Sequence, residues 1–74
     1  MASNWDIYRL AQNASGPIKL SEAADELGYD SSRGVAKRIS AAWNYFVSKG
    51  CRQEAAEIAR TFVGCNDKFA WKRN

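Results

Sequence analysis

Histidine is absent from this chain of 74 residues, proline occurs once and cysteine twice. Without histidine, the chain lacks the Ser–His and Cys–His pairs that activate most protein nucleophiles, and it lacks histidine metal ligands. Cys51 and Cys65 belong to no CxxC motif, and two sulfurs alone make a poor zinc site. A single disulfide between them stays open, although the absence of an export signal favours a reducing compartment. We therefore expect no enzymatic activity and no cofactor.

Long apolar runs are also missing, which excludes a transmembrane helix. The first ten residues show no basic-then-apolar signal pattern, and the last residues show no lipidation motif. A hydrophobic content of 46% is too high for a disordered chain, and the length allows only one core. We expect a cytoplasmic protein that folds as one small domain over residues 1–74.

The charge is distributed unevenly along the chain. Residues 1–30 contain two basic and five acidic side chains, for a net charge of −3. Residues 31–74 contain nine basic and three acidic side chains, for a net charge of +6. Such asymmetry is typical of proteins that bind polyanions, although two solvated faces of opposite sign would produce the same pattern.

Two short helices are predicted in the first part of the chain. Ser3 and the first-turn acid Asp6 indicate the start of a helix over residues 4–14, which the Gly16-Pro17 pair closes with Gly16 as a left-handed cap. Residues 18–20 alternate apolar and polar, as a short strand or an extended linker would. Ser21 then caps a second helix over residues 22–27, and Gly28 ends it.

The longest periodic stretch predicts a third helix that ends at Lys49-Gly50. Its apolar residues recur at helical spacing and predict one buried stripe, which consists of Val35, Ala36, Ile39, Ala42, Trp43, Phe46 and Val47. Trp43 is therefore expected in the core, whereas Trp5 lies near a chain end and is expected to be half exposed. Residues 52–59 predict one or two further helical turns.

The C-terminal part changes to a β-prone pattern. Residues 60–63 and 68–71 flank a turn of turn-forming residues at 64–67, which predicts a β-hairpin whose aromatic face packs on the helices. The alternative is that residues 52–63 continue as one helix. The expected fold is thus mainly α with a small C-terminal β-hairpin.

The segment Leu20–Gly28 resembles the first part of a helix-turn-helix of DNA-binding proteins. Ala24 is small enough for the next helix to approach, Leu27 fills the angle between the helices, and Gly28 permits the sharp turn. Ala36 and Ile39 match the core positions of the following helix if the turn is two residues longer than in the tightest members.

The order of elements is similar to a winged helix, and this resemblance to small prokaryotic and phage proteins extends over nearly the whole chain. The third helix together with residues 51–59 is longer than a compact winged helix requires, and the hairpin lacks a dense basic tip. The resemblance implies that the third helix enters the major groove of DNA and that the hairpin touches the flanking backbone.

The resemblance also implies a set of DNA-binding residues: Ser31, Ser32, Arg33, Lys37, Arg38, Ser40, Asn44, Lys68 and Lys72. The first three would lie nearest the groove floor or the phosphates, and Arg33, Lys37 and Arg38 would supply positive charge. Ser40 and Asn44 would reach base edges, since asparagine can pair bidentately with adenine. Lys68 and Lys72 would contact the DNA backbone.

We therefore expect a helix-turn-helix protein that binds double-stranded DNA, as a small regulator or architectural factor of the nucleoid. So small a module touches few base pairs, and useful specificity would require a homodimer or a protein partner. The rival interpretation is a helical protein-interaction module, for instance a phage-encoded inhibitor that docks on a host protein.

Overall fold

The structure, a computed structural model, describes residues 3–63. The helices in this part of the chain are α1 (Asn4–Asn13), α2 (Leu20–Leu27), α3 (Ser32–Ser48) and α4 (Arg52–Thr61). The strands are β1 (Ile18–Lys19) and β2 (Phe62–Val63). The expected mainly helical architecture is confirmed. Within residues 3–63, every helix is too short or too polar to span a lipid bilayer.

α1 begins after Ser3, which is its N-cap as predicted, and Asp6 makes the cap reciprocal. The Ser3 hydroxyl accepts the Asp6 N–H at 3.1 Å, and the Asp6 carboxylate accepts the Ser3 N–H at 2.8 Å. These bonds hold the pKa of Asp6 below its ordinary value. α1 ends at Asn13, the next residue Ala14 is extended, and Gly16 does not have a positive φ. The predicted left-handed cap at Gly16 is therefore wrong.

Four residues connect α2 to α3. α2 begins at Leu20 after Lys19, so the prediction that Ser21 caps it is wrong; Glu22 instead accepts the Lys19 N–H at 3.0 Å. Gly28 ends α2 in the left-handed region, at φ 77°. The Tyr29 N–H donates to the Ala24 carbonyl at 2.8 Å, which closes the turn.

The core lies between α1, α3 and α4, and α2 packs on α3. From α3 the residues Val35, Ile39, Ala42 and Phe46 are buried, as the helical periodicity predicts. Trp43 is only half-buried. Val47 is exposed, so the assignment of Val47 to the buried stripe is wrong. About 100° of helix separates Val47 from Phe46, which places Val47 at the margin of the stripe.

The end of the described chain differs most from the prediction. α4 continues through Arg60 and Thr61, so the predicted strand that begins at Arg60 is wrong. β2 holds only Phe62 and Val63, and it pairs in parallel with β1, with Ile18 opposite Phe62. Residues 18–19 are therefore a strand rather than a linker. The predicted turn at 64–67 and second hairpin strand at 68–71 lie outside the described residues.

Candidate nucleic-acid interface

One face of α3 carries exposed polar and basic side chains. Arg33, Lys37 and Asn44 are all exposed. At about 100° per residue they fall within about 40° of one another, opposite the buried stripe. They extend over about 16 Å along the helix axis. We call this line of three residues the α3 ridge; the third helix therefore brings together three of the side chains that the sequence singles out.

The N-terminal end of α3 lies at the start of the ridge. Ser31 caps the helix, because its hydroxyl accepts the Gly34 N–H at 3.1 Å. Ser32 is exposed, and the first turn contains no acidic residue. The positive end of the helix dipole is therefore not neutralised by a carboxylate from its own first turn, and it points where an anion would be stabilised.

Arg38 and Ser40 are placed less favourably than the ridge. Both residues are half-buried. The Ser40 hydroxyl oxygen and the Arg38 Nε are buried, with no hydrogen-bond partner in the described part of the chain. Ser40 therefore does not present its hydroxyl to solvent beside Asn44. Arg38 lies on one side of the ridge, about 120° from its centre.

Within residues 3–63, no acidic side chain of α2 forms an ion pair with a basic side chain of α3. Among residues 3–63 the ion pairs are Arg9–Asp6 at 3.8 Å and Arg60–Glu57 at 2.7 Å, each within one helix. The carboxylates of α2 instead line an open groove of about 610 Å³ with the loop that follows α1. These groove-lining acids are Glu22, Asp25 and Glu26. α3 contains three basic residues and no acidic one, so no side chain of the helix itself offsets its positive charge.

Two residues near the end of α3 form a cation–π pair that is missing from the sequence-based set. The Lys49 ammonium lies 5.8 Å from the centre of the Tyr45 ring, a cation–π contact. The i, i+4 spacing of Tyr45 and Lys49 could have indicated this contact, but the sequence pattern is equally consistent with Lys49 simply ending the helix. Lys68 and Lys72 of the predicted set lie outside the described residues.

Away from α3, the sequence expectation for Trp5 is confirmed. Trp5 is 45% exposed, although its ring lies edge-on against Phe46 at 5.0 Å and Tyr8 at 5.9 Å.

Cys51 is half-buried, and Cys65 lies outside the described residues. Residues 3–63 contain no group of side chains that could hold a metal ion. Comparisons with protein-family models, curated proteins and solved structures find no match to this chain.

Proposed function

We propose that this protein binds double-stranded DNA through α3, as a small helix-turn-helix, winged-helix-like regulator or architectural factor. The observation that carries the proposal is the α3 ridge, where Arg33 and Lys37 are exposed and form no ion pair within the described residues. Two cations on one exposed line of a helix can neutralise phosphates and release the counterions condensed on them.

The segment that leads into α3 supports this proposal. The buried Ala24 and the left-handed Gly28 are the small residue and the turn residue that the resemblance to a helix-turn-helix requires. The major groove is about 12 Å wide and admits one α-helix. With the ridge toward the bases, Arg33 and Lys37 reach phosphates or guanines, and Asn44 presents an amide suited to adenine.

The decisive experiment compares two double variants with the same change in net charge. Arg33→Ala/Lys37→Ala removes the two cations of the ridge, whereas Arg9→Ala/Arg60→Ala removes two exposed arginines of α1 and α4. Fluorescence anisotropy with a duplex of mixed sequence measures affinity from 50 to 200 mM salt. All four side chains are exposed, so both variants are expected to fold, and thermal melting checks this.

Each lost phosphate contact removes about 0.9 from the slope of log affinity against log salt. The slope of the ridge variant is therefore expected to be about 1.8 smaller in magnitude than that of the wild type. Its affinity is expected to be roughly 200-fold lower at 50 mM salt and roughly 20-fold lower at 200 mM salt. The control is expected to stay close to the wild type because salt screens distant charges. Equal losses in the two variants would show that α3 is not the contact surface.

A second candidate function is protein binding through the surface around Trp5. Trp5 is the observation that favours it, because a large aromatic side chain that is 45% exposed can anchor a partner. The same salt titration separates the two functions. A protein-interaction module predicts no salt-dependent duplex binding by the wild type, and it predicts that Trp5→Ala, rather than the ridge variant, weakens the recruitment of its partner.

A further inference from the structure

The two sides of the α3 ridge differ in chemistry. One side carries Arg38, Tyr45 and Lys49, which fall within about 40° of one another and about 100–140° from the ridge centre. We call these three residues the cationic flank. The other side carries Ala36, Trp43 and Val47, which have no charge. A duplex seated on the ridge would therefore meet positive charge on only one side of the helix.

The end of the cationic flank at Lys49 is open to a large anion, whereas Arg38 and Tyr45 are half-buried. Lys49 is exposed, and neither it nor Arg38 forms an ion pair within the described residues. Ala41 is exposed between the ridge and the flank and presents only a methyl group, so a sugar-phosphate backbone can approach closely. Over about 16 Å from Arg38 to Lys49, the flank is long enough to follow the backbone past more than one phosphate.

Tyr45 gives the flank a defined geometry. The Tyr45 ring packs edge-on against the buried Phe46, with 5.2 Å between ring centres, and the Lys49 ammonium lies 5.8 Å from the centre of the Tyr45 ring. The ring thereby holds the lysine side chain near the helix and reduces the rotamer freedom that binding would cost. The phenol O–H is a further donor suited to a phosphate oxygen.

We propose that the cationic flank binds the phosphate backbone of one DNA strand and thereby fixes the orientation of α3 in the groove. This inference rests on the proposed function and adds a division of labour to it. The flank supplies affinity that is independent of sequence, and Asn44 on the ridge supplies discrimination between sequences. The contacts with the two strands are consequently unequal.

The test uses three single variants of the full chain and one matched control. Lys49→Ala removes an exposed cation, and Tyr45→Phe removes only the phenol hydroxyl while the ring keeps its contact with Phe46. Asn44→Ala probes the ridge. Lys19→Ala is the control, because Lys19 is an exposed lysine of β1. Affinity is measured against salt for several duplexes, and thermal melting confirms folding.

Lys49→Ala is expected to lower the salt slope by about 0.9, or roughly 15-fold in affinity at 50 mM salt, without changing the ranking of the duplexes. Tyr45→Phe is expected to weaken binding to all duplexes alike at an unchanged slope. Asn44→Ala is expected to change the ranking at an unchanged slope. Neutral methylphosphonates placed at single positions are expected to weaken wild-type binding on one strand, and Lys49→Ala is expected to be insensitive to them there.

The outcomes distinguish the flank from the function itself. If the ridge variant loses binding while Lys49→Ala matches Lys19→Ala in slope, the flank proposal is overturned and DNA binding stands. Equal sensitivity of the two strands to methylphosphonates within the site of a single protein copy would also overturn it. If the wild type shows no salt-dependent duplex binding, the proposed function fails, and the flank proposal fails with it.

Discussion

Phe46 is the side chain whose removal tests the packing of this fold most directly. It is fully buried on α3, and its ring lies 5.0 Å from Trp5, 5.9 Å from Tyr8 and 5.2 Å from Tyr45, centre to centre. All three pairs are edge-on. Phe46→Ala removes one partner from each pair and leaves a cavity between α1 and α3.

The expected loss is large relative to the stability of so short a chain. A buried Phe→Ala substitution costs about 3–5 kcal/mol, and each aromatic pair contributes about 0.5–1.5 kcal/mol beyond its buried area. At roughly 0.05–0.15 kcal/mol per residue, a chain of this length has an unfolding free energy of about 4–11 kcal/mol. Phe46→Ala should therefore remove about a quarter or more of the total.

Urea unfolding followed by far-ultraviolet circular dichroism measures this loss. Circular dichroism reports helix content, whereas tryptophan fluorescence would also change because Trp5 touches Phe46 in the folded state. With a slope of about 1 kcal/mol per molar urea, the midpoint should fall by about 3 M or more. Phe46→Leu, which keeps most of the side-chain volume, should lose less and stay measurable if Phe46→Ala does not fold.

Val47 provides the matched control, because it is the next residue on the same helix and is 46% exposed. Val47→Ala should change the unfolding free energy by no more than about 0.5 kcal/mol. The sequence pattern places both residues on the buried stripe, so it predicts two comparable losses. Similar losses for Phe46→Ala and Val47→Ala would refute the orientation of α3 that buries Phe46 and exposes Val47.

Two further substitutions test the local structure. Gly28→Ala should lower the unfolding free energy by about 1–2 kcal/mol, because the residue has a φ of 77°. No atom lies near the added methyl group, so the loss comes from backbone strain alone. Gly16→Ala is equally open but has no positive φ, and it should be neutral or slightly stabilising in the same thermal melts. Asp6→Asn should melt below the wild type at pH 7. A carboxyl whose folded pKa is depressed stabilises the fold above its unfolded pKa, so this difference should vanish as acid takes the pH below 3.8 and through the folded pKa; a difference that persists in strong acid would contradict the assignment.

Some features that depend on neighbours in the sequence could be predicted from the sequence, although the caps predicted at Gly16 and Ser21 were wrong. The cap at Ser3 requires only Asp6 three residues later, and the end of α2 requires only that glycine tolerates a positive φ. The buried stripe of α3 follows from helical periodicity, which identified Val35, Ile39, Ala42 and Phe46. The rotation of the helix within about one residue, which decides the exposure of Val47, is set by the surrounding helices.

The strand pairing could not be predicted in the same way, since it joins distant parts of the chain. Phe62 and Val63 follow α4 directly, and their partners Ile18 and Lys19 precede α2. A β-prone run followed by turn formers favours a local antiparallel hairpin, because closing a short loop costs little entropy. α4 extends to Thr61 because Ala55, Ile58 and Ala59 recur at helical spacing and are buried.

The candidate site shows the same division between local and tertiary information. The charges of α2 and α3 are evident from the sequence, but opposite charges in adjacent helices usually suggest ion pairs that would cancel them. In the structure the α2 acids line the groove beside the loop after α1, and within residues 3–63 no ion pair joins them to α3. Separating the two signs in this way favours an encounter with a polyanion by α3 rather than by α2, because the polyanion repels one surface and attracts the other. Neutralising the α2 acids should therefore raise the association rate with duplex DNA at low salt and leave the salt slope of the ridge contacts in place.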